Sequence, residues 1–562
     1  MDCRNKAGEV DYKAETYTLD KTNFDYIRVV RSDGLAGLLM PNFPPQQEIE
    51  TFSFAVDLGT SNTHVEMKKA NENSSYPLTY SKNERTMSKF FVQHFVEEEG
   101  NLLPTDLTDE EDLMNAEFVP EIIDSNNSDL YFPTRTALSC AKVINWNDSL
   151  RVFGLLNFNL TYNKKKAFYA YNAEPLINLK WSNENNAQAQ IRLFVENLLL
   201  LLRNKVVANN GNLRNTQITW FYPNSMSQRR LSQLRDAWKD AYSKLFSQNG
   251  GTTEMSESTA PIRYYFHRYA NATSIINVDI GGGTTDIAFS NYGKVSHITS
   301  FKFAANALFQ DSFSDINPNN GIVDWFKGDF LELLTKNHLN DLEWIFKSNE
   351  GQPANMASFL FSLKNNSHTA KIARESIDFN HVLQNDEKFK IVFILFYTAI
   401  IYHIAQIAKK EAFGIPRHIA FSGNGSKVIH ILTSDVKTLQ AYTQKIFEKV
   451  IGQTSNSTLE ILGVERDSSP KEATCKGGLV AAGAHDKNET KQVTLRDSSG
   501  ALVGENDTYA QIDDARKDEI VKTVEDFFDF ALKEIPSVFN LDDIFGVSHD
   551  SLKIAREECK KD

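Results

Sequence analysis

The chain has 562 residues, enough for at least two domains, each with a sizeable core. Its 60 Lys and Arg against 73 Asp and Glu give a formal charge of -13, which excludes a sequence-independent nucleic-acid binder, whose affinity would come from neutralising phosphates. Cys3, Cys140, Cys475 and Cys559 are scattered, with no CxxC and no metal-ligand spacing, and read as thiols of a reducing, cytoplasmic compartment.

In chain order, the opening MDCRNKAGEVDYKAE lacks the apolar run of a signal peptide, so export is not expected. Residues 1–50 are polar and then proline-bearing, without strong periodicity, and read as an extension. FSFAVDL, from Phe52, is the first clear strand, and THVEMKK resumes the alternation after a tight polar turn. A polar, asparagine-rich stretch from Asn71 to Leu130 predicts loops and short helices. Within it, DSNNSD at Asp124 begins like a calcium loop. It has no glycine at the sixth position and Arg135 where the bidentate glutamate belongs, so it reads as a solvated turn. AQAQIRLFVENLLLLLRNKVV predicts a long buried helix and QITWFYP a buried strand. The next segment sets Leu231, Leu234, Trp238, Ala241 and Leu245 on one helical face.

The second half repeats the theme. IINVDIGGGTTDIAFS, Ile275 to Ser290, reads as strand, glycine turn and strand, followed by a largely helical insert from about 310 to 410. In that insert IVFILFYTAIIYHIAQIA approaches the length of a membrane span. Tyr397, Tyr402, His403 and Gln406 interrupt it and it stands alone in a polar chain, so a buried core helix is expected and no membrane contact. HIAFSGNGSKV adds a strand and glycine turn, and GGLVAAGA a last apolar helix ending near 485. KNETKQVTLRDSSGALVGEND predicts a hairpin, and the helical tail after it is too short and polar for a large core of its own. The resulting division is an extension at 1–50, lobe I at 51–272, lobe II at 273–485 and a tail at 486–562.

The chemistry sits in the two glycine turns, FAVDLGTSNT and INVDIGGGTT. Each has an apolar strand ending in Asp, one apolar residue, a Gly, and small hydroxyl- or amide-bearing residues, which is an internal duplication. Turns without Cβ atoms bring successive backbone N–H groups close to an anion, and Ser and Thr hydroxyls add donors. A carboxylate at each strand end can hold Mg²⁺ through its waters, because Mg²⁺ dehydrates reluctantly and usually joins one or two carboxylates to substrate phosphates. Two opposed hairpins of this kind would grip a triphosphate from both sides. GxxxxGK[ST] is missing and GGGTTD lacks the third glycine of a dinucleotide fingerprint, which sets aside P-loop and Rossmann readings. No GxSxG or HExxH occurs, so hydrolase triads and zinc peptidases find no support. His64, beside the first turn, could touch phosphate, but reads as a hairpin residue pointing to solvent or core.

These motifs resemble the superfamily of actin, sugar kinases and the seventy-kilodalton heat-shock chaperones. VDLGTSNT looks like its first phosphate motif, VDIGGGTTD its second, IAFSGNGSKV its adenosine motif and GGLVAAGA its final helix, in matching order from Phe52 to about Ala484. The chaperone branch fits best, since EMSESTAPIRYY resembles its connecting segment. The resemblance implies an α/β, two-lobed fold of duplicated ribonuclease-H-like domains, with ATP and Mg²⁺ in the cleft. It implies that Asp57 and Asp279 hold the hydrated Mg²⁺. Gly59, Thr60, Ser61 and Asn62, with Gly281, Gly282, Gly283, Thr284 and Thr285, would bind phosphates. Asp286 would orient or deprotonate the attacking water, Glu257 would couple the halves and help place that water, and Gly423, Asn424, Gly425 and Ser426 would face the adenosine. The branch's γ-phosphate lysine has no flanking match here; Lys180, in LINLKW, lies in a plausible place but reads as a surface lysine. The branch's β-rich peptide-binding domain is not recognisable after Ala484, which speaks against client folding. The expected activity is slow ATP hydrolysis whose lobe closure switches a protein partner. A small-molecule kinase and a nucleotide-dependent scaffold or filament protein are the alternatives.

Overall fold

The computed structural model describes residues 26–30, 32–40, 47–60, 62–79, 179–182, 186–224, 226–269, 271–309, 323–348, 353–365, 369–433, 435–463, 470–480, 491–495 and 509–561, with short strand segments at 2–5, 15–18, 95–98, 101–104, 134–136, 138–141, 158–160, 173–176, 312–314 and 317–319. The fold is α/β, as expected, in two compact units. One comprises Met1–Tyr222 and Met226–Met255, the other Pro223–Ser225 and Ser256–Asp562. This division falls ahead of the 272/273 boundary read from the sequence.

In the first unit, β1 (Phe52–Leu58) and β2 (Asn62–Lys69) form an antiparallel hairpin, and β3 (Gln217–Tyr222) lies parallel to β1 on its other side. β4 (Thr252–Ser256) extends the sheet beyond β3. Between hairpin and β3 runs α1 (Ala187–Ala208), and after β3 runs α2 (Gln228–Leu245), started by Ser227, whose hydroxyl accepts from the Arg230 N–H. Alternation along β1 buries Phe52, Phe54, Val56 and Leu58, and these pack with Phe194 and Leu198 of α1 and Leu234 and Trp238 of α2. Most of the asparagine-rich stretch and the Asp124 turn lie outside the described residues.

The second unit repeats the plan. After α3 (Ala260–Arg268), β5 (Ser274–Ile280) and β6 (Thr285–Asn291) form an antiparallel hairpin, and β7 (Lys294–Phe301) pairs antiparallel with β6. Past α4 (Glu387–Lys410), β8 (His418–Ser422) lies parallel to β5. After α5 (Val436–Ile451), β9 (Glu460–Leu462) lies parallel to β8. Each sheet is thus centred on a strand with its own hairpin partner on one side and a later parallel strand on the other.

The apolar segment at 391–408 is a core helix: α4 buries Phe393, Ile400, Ile401 and Ile404. Two of its buried polar residues bond across to α5, Tyr397 Oη and Thr443 Oγ1 lying 2.6 Å apart and Thr398 Oγ1 and Tyr442 Oη 2.7 Å apart. Burial pushes the His403 imidazole down to about 4.

Three sequence readings change. The extension contains a β-hairpin, Ile27–Val30 against Ala36–Leu39, whose turn at Asp33–Gly34 (φ 86°) the periodicity did not reveal. Lys491–Gln492, read as part of a hairpin, forms an edge strand parallel to β7. The last apolar helix, α6, is Pro470–Leu479; residues 481–490 lie outside the described set. The tail carries helices α7 (Asp514–Asp529), α8 (Leu541–Phe545) and α9 (His549–Cys559), and joins the second unit's core through Phe530 and Ile535 just after α7, Leu541 and Phe545 of α8, and Leu552 of α9.

Candidate phosphate-binding turns

The two hairpins match residue for residue. Leu58 pairs with Thr63 across turn 59–62, and Ile280 with Thr285 across turn 281–284. One step back from each turn, Asp57 stands opposite His64 and Asp279 opposite Asp286. Residues directly opposite in a ladder share a sheet face, so each aspartate shares its face with the residue opposite.

In the second unit the turn is held by backbone hydrogen bonds. Gly281 N–H donates to the Thr284 carbonyl at 2.9 Å, while the carbonyls of Gly281 and Gly282 accept from Ala305 and Asn306 N–H at 3.3 and 2.7 Å. No described residue accepts from the N–H of Gly282, Gly283 or Thr284. Such a run of amides is an anion cradle. Thr285 is fully buried and its hydroxyl donates to the Phe303 carbonyl at 2.6 Å, which braces the turn from behind.

The SGNGS turn packs directly on this structure. Gly423 has φ 80°, and a Cβ there would lie 2.4 Å from Asp279 Oδ1 and 2.4 Å from the Ile280 carbonyl. A Cβ on Gly425 would lie 2.4 Å from the Gly281 carbonyl. Close backbone approach therefore demands both glycines. Ser426 is buried and its hydroxyl donates to the Gly423 carbonyl at 2.7 Å, closing the turn. The side chain of Asn424 lies outside the described set.

Glu257 sits between two pinned serines. Ser256 Oγ donates to Asn224 Oδ1 at 2.7 Å, and Asn224 Nδ2 donates to Ser258 Oγ at 2.6 Å. The following helix α3 is fastened by the Tyr265 hydroxyl, which donates to the Phe421 carbonyl at 3.2 Å. It is also fastened by Gly477 of α6, where a Cβ would meet the Ala260 carbonyl at 1.8 Å.

In the first unit Asp57 is buried at the end of β1. His64 is buried too, with Nε2 and Glu66 Oε1 3.1 Å apart. Thr60 of the turn accepts from the Trp181 indole N–H at 3.0 Å. Arg230 of α2 holds the segment carrying that indole, donating to the carbonyls of Lys180 at 3.0 Å and Ser182 at 3.2 Å and lying 5.7 Å from the Trp181 ring centroid. Lys180 is not a surface lysine: it is only 5% exposed, because its backbone is clamped by Arg230 and its neighbour is hooked to the turn. Ser61 and the side chain of Asn62 lie outside the described residues.

The arrangement groups Asp279, Asp286, Gly281 to Thr285, Gly423, Gly425 and Ser426 in one unit, and Asp57, Gly59, Thr60 and Lys180 in the other. Among the described residues no three His, Cys, Asp or Glu side chains come together to hold a metal directly. In the second unit a strand-end carboxylate beside an amide cradle suits an ion kept hydrated and shared with phosphate. Sequence reasoning missed Trp181, Arg230, Asn306, Ser422 and Asn277. A lone Asn inside the apolar run INVDI was the readable signal for the last.

No family model matches the chain, and no curated protein matches it. Among solved structures, it is similar to MreB5 of Spiroplasma citri bound to ADP, at 10% identity over 76% of this chain and 94% of that one, with a TM-score of 0.32. The same protein bound to AMPPNP gives 10% identity over 76% and 94%, with a TM-score of 0.30. The ethanolamine utilization protein EutJ from Carboxydothermus hydrogenoformans gives 11% identity over 78% of this chain and 90% of that one, with a TM-score of 0.29. TM-scores this low give the likenesses no weight for function.

Proposed function

We propose that this chain binds ATP with Mg²⁺ and hydrolyses it slowly, as a member of the actin, sugar-kinase and heat-shock chaperone superfamily, nearest its chaperone branch. The single observation that carries this is the repetition of one hairpin, in the same register and with the aspartate at the same position, in both units. A bulge or bend has no reason to recur in that form twice beside a parallel strand.

In this reading the amides of Gly282, Gly283 and Thr284 bind phosphate oxygens, and Thr60 lies in the matching turn, held by Trp181. Asp57 and Asp279 face the waters of Mg²⁺, which when bound neutralises phosphate charge. Asp286 accepts the proton of the attacking water, and Glu257 positions that water from its pinned backbone. A protein partner in the cytoplasm, binding one nucleotide state better than another, would read the output.

The test is steady-state ATP turnover with nucleotide affinity measured in parallel. Asp279→Ala should weaken Mg²⁺-dependent binding and turnover together. Glu257→Ala should spare binding and slow turnover by about 10²-fold or more. Wild-type behaviour of both variants would contradict the assignment.

A further inference from the structure

Asp279 is surrounded by groups the phosphate motif does not include. Ser422, the last residue of β8, lies beside it in the parallel ladder, and its hydroxyl donates to Asp279 Oδ2 at 2.8 Å. Asn277, two residues before Asp279 on the same face of β5, donates from Nδ2 to Ser422 Oγ at 3.1 Å. Both side chains are fully buried. The other oxygen, Oδ1, lies under Gly423, where even a methyl group would collide. The two carboxylate oxygens are thus set by consecutive residues of the SGNGS turn.

Nothing in strand formation asks for this. In the first unit the position of Asn277 is Ala55 and that of Ser422, one step past Trp220, is Phe221, both buried. Buried polar side chains in a strand cost stability unless they are bonded to something useful. Here their bonds end on Asp279, one of the two carboxylates proposed to face the metal.

We infer that Ser422 and Asn277 are positioning residues: through the chain Asn277, Ser422, Asp279 they fix the carboxylate, and they make its placement depend on the seating of the SGNGS turn. The inference rests on the nucleotide reading above and deepens it. A nucleotide whose adenosine side seats the SGNGS turn then also sets Asp279 for the hydrated ion. Phosphate-side and adenosine-side contacts are coupled through one hydroxyl.

The experiment titrates Mg²⁺ at fixed fluorescent ATP analogue and follows nucleotide binding, with thermal unfolding as a check on folding. Ser422→Ala should raise the Mg²⁺ midpoint about tenfold, the loss expected for one hydrogen bond to a charged group, and leave metal-free nucleotide binding within about twofold. Asn277→Ala should shift it in the same direction by less. In an Asp279→Asn background Ser422→Ala should add no further shift, because its effect passes through that carboxylate. A Mg²⁺-dependent wild type with an unmoved Ser422→Ala midpoint, or an equal shift in the Asp279→Asn background, overturns this inference alone. A wild type whose nucleotide binding ignores Mg²⁺ overturns the functional reading and this inference with it.

Discussion

The two hairpins share length, register and a strand-end aspartate, yet each surrounds that aspartate differently. In the first unit the buried polar pair lies on the antiparallel side, where His64 and Glu66 stand and β3 contributes only Trp220 and Phe221. In the second unit it lies on the parallel side and on β5 itself, as Ser422 and Asn277, while Ala288 occupies the place of Glu66. The duplication therefore conserves within the molecule what phosphate geometry needs, a turn and a carboxylate. It varies what orients that carboxylate. The second unit adds Asp286, a carboxylate facing Asp279, where the first has His64 facing Asp57. In the proposed function, this difference assigns proton transfer to the second hairpin and binding alone to the first.

The largest effect should come at Gly423. Alanine there takes up a left-handed φ and drives a methyl into Asp279 and Ile280, which should cost about 3 kcal/mol and abolish Mg²⁺-dependent nucleotide binding, as read by thermal unfolding and titration. Glu66→Ala should come next. It leaves His64 buried beside a cavity and should lower stability by about 3 kcal/mol in denaturant unfolding, although the equivalent Ala288 is tolerated because Asp286, not an imidazole, is its neighbour. An unaffected stability would mean the His64 and Glu66 pair is not what distinguishes the first hairpin. Trp181→Phe keeps an aromatic ring and removes the one N–H donor to Thr60, so it should weaken nucleotide affinity only about fivefold, with the unfolding midpoint nearly unchanged.

Much of this was legible in the sequence because it rests on local rules. Alternation in FSFAVDL and IINVDI marks buried strands, and the paired Gly turns mark the sites. Helix α4 was readable as core because Tyr397 and Tyr402 break its apolar run. What was not legible depends on contacts far apart in sequence. Lys180 reads as surface by residue type, yet Arg230, fifty residues on, and the hook from Trp181 to Thr60 hold its segment in a buried place. The tail helices look too polar to form a core, and they do not form one: they lend Phe530, Ile535 and Phe545 to a core built by α4 and α5. The glycines of SGNGS suggest a ligand, yet Gly423 and Gly425 are required by Asp279, Ile280 and Gly281 of the same chain.

The proposal that both hairpins act on a single nucleotide can be tested by ATP-binding stoichiometry, measured by calorimetry in Mg²⁺ for wild type, Asp57→Ala, Asp279→Ala and the double variant. One nucleotide per wild-type chain is expected, with a large loss of affinity in either single variant and a double variant little worse than the singles. Two nucleotides per chain, or a variant in one hairpin that leaves full-affinity binding to the other, would contradict it.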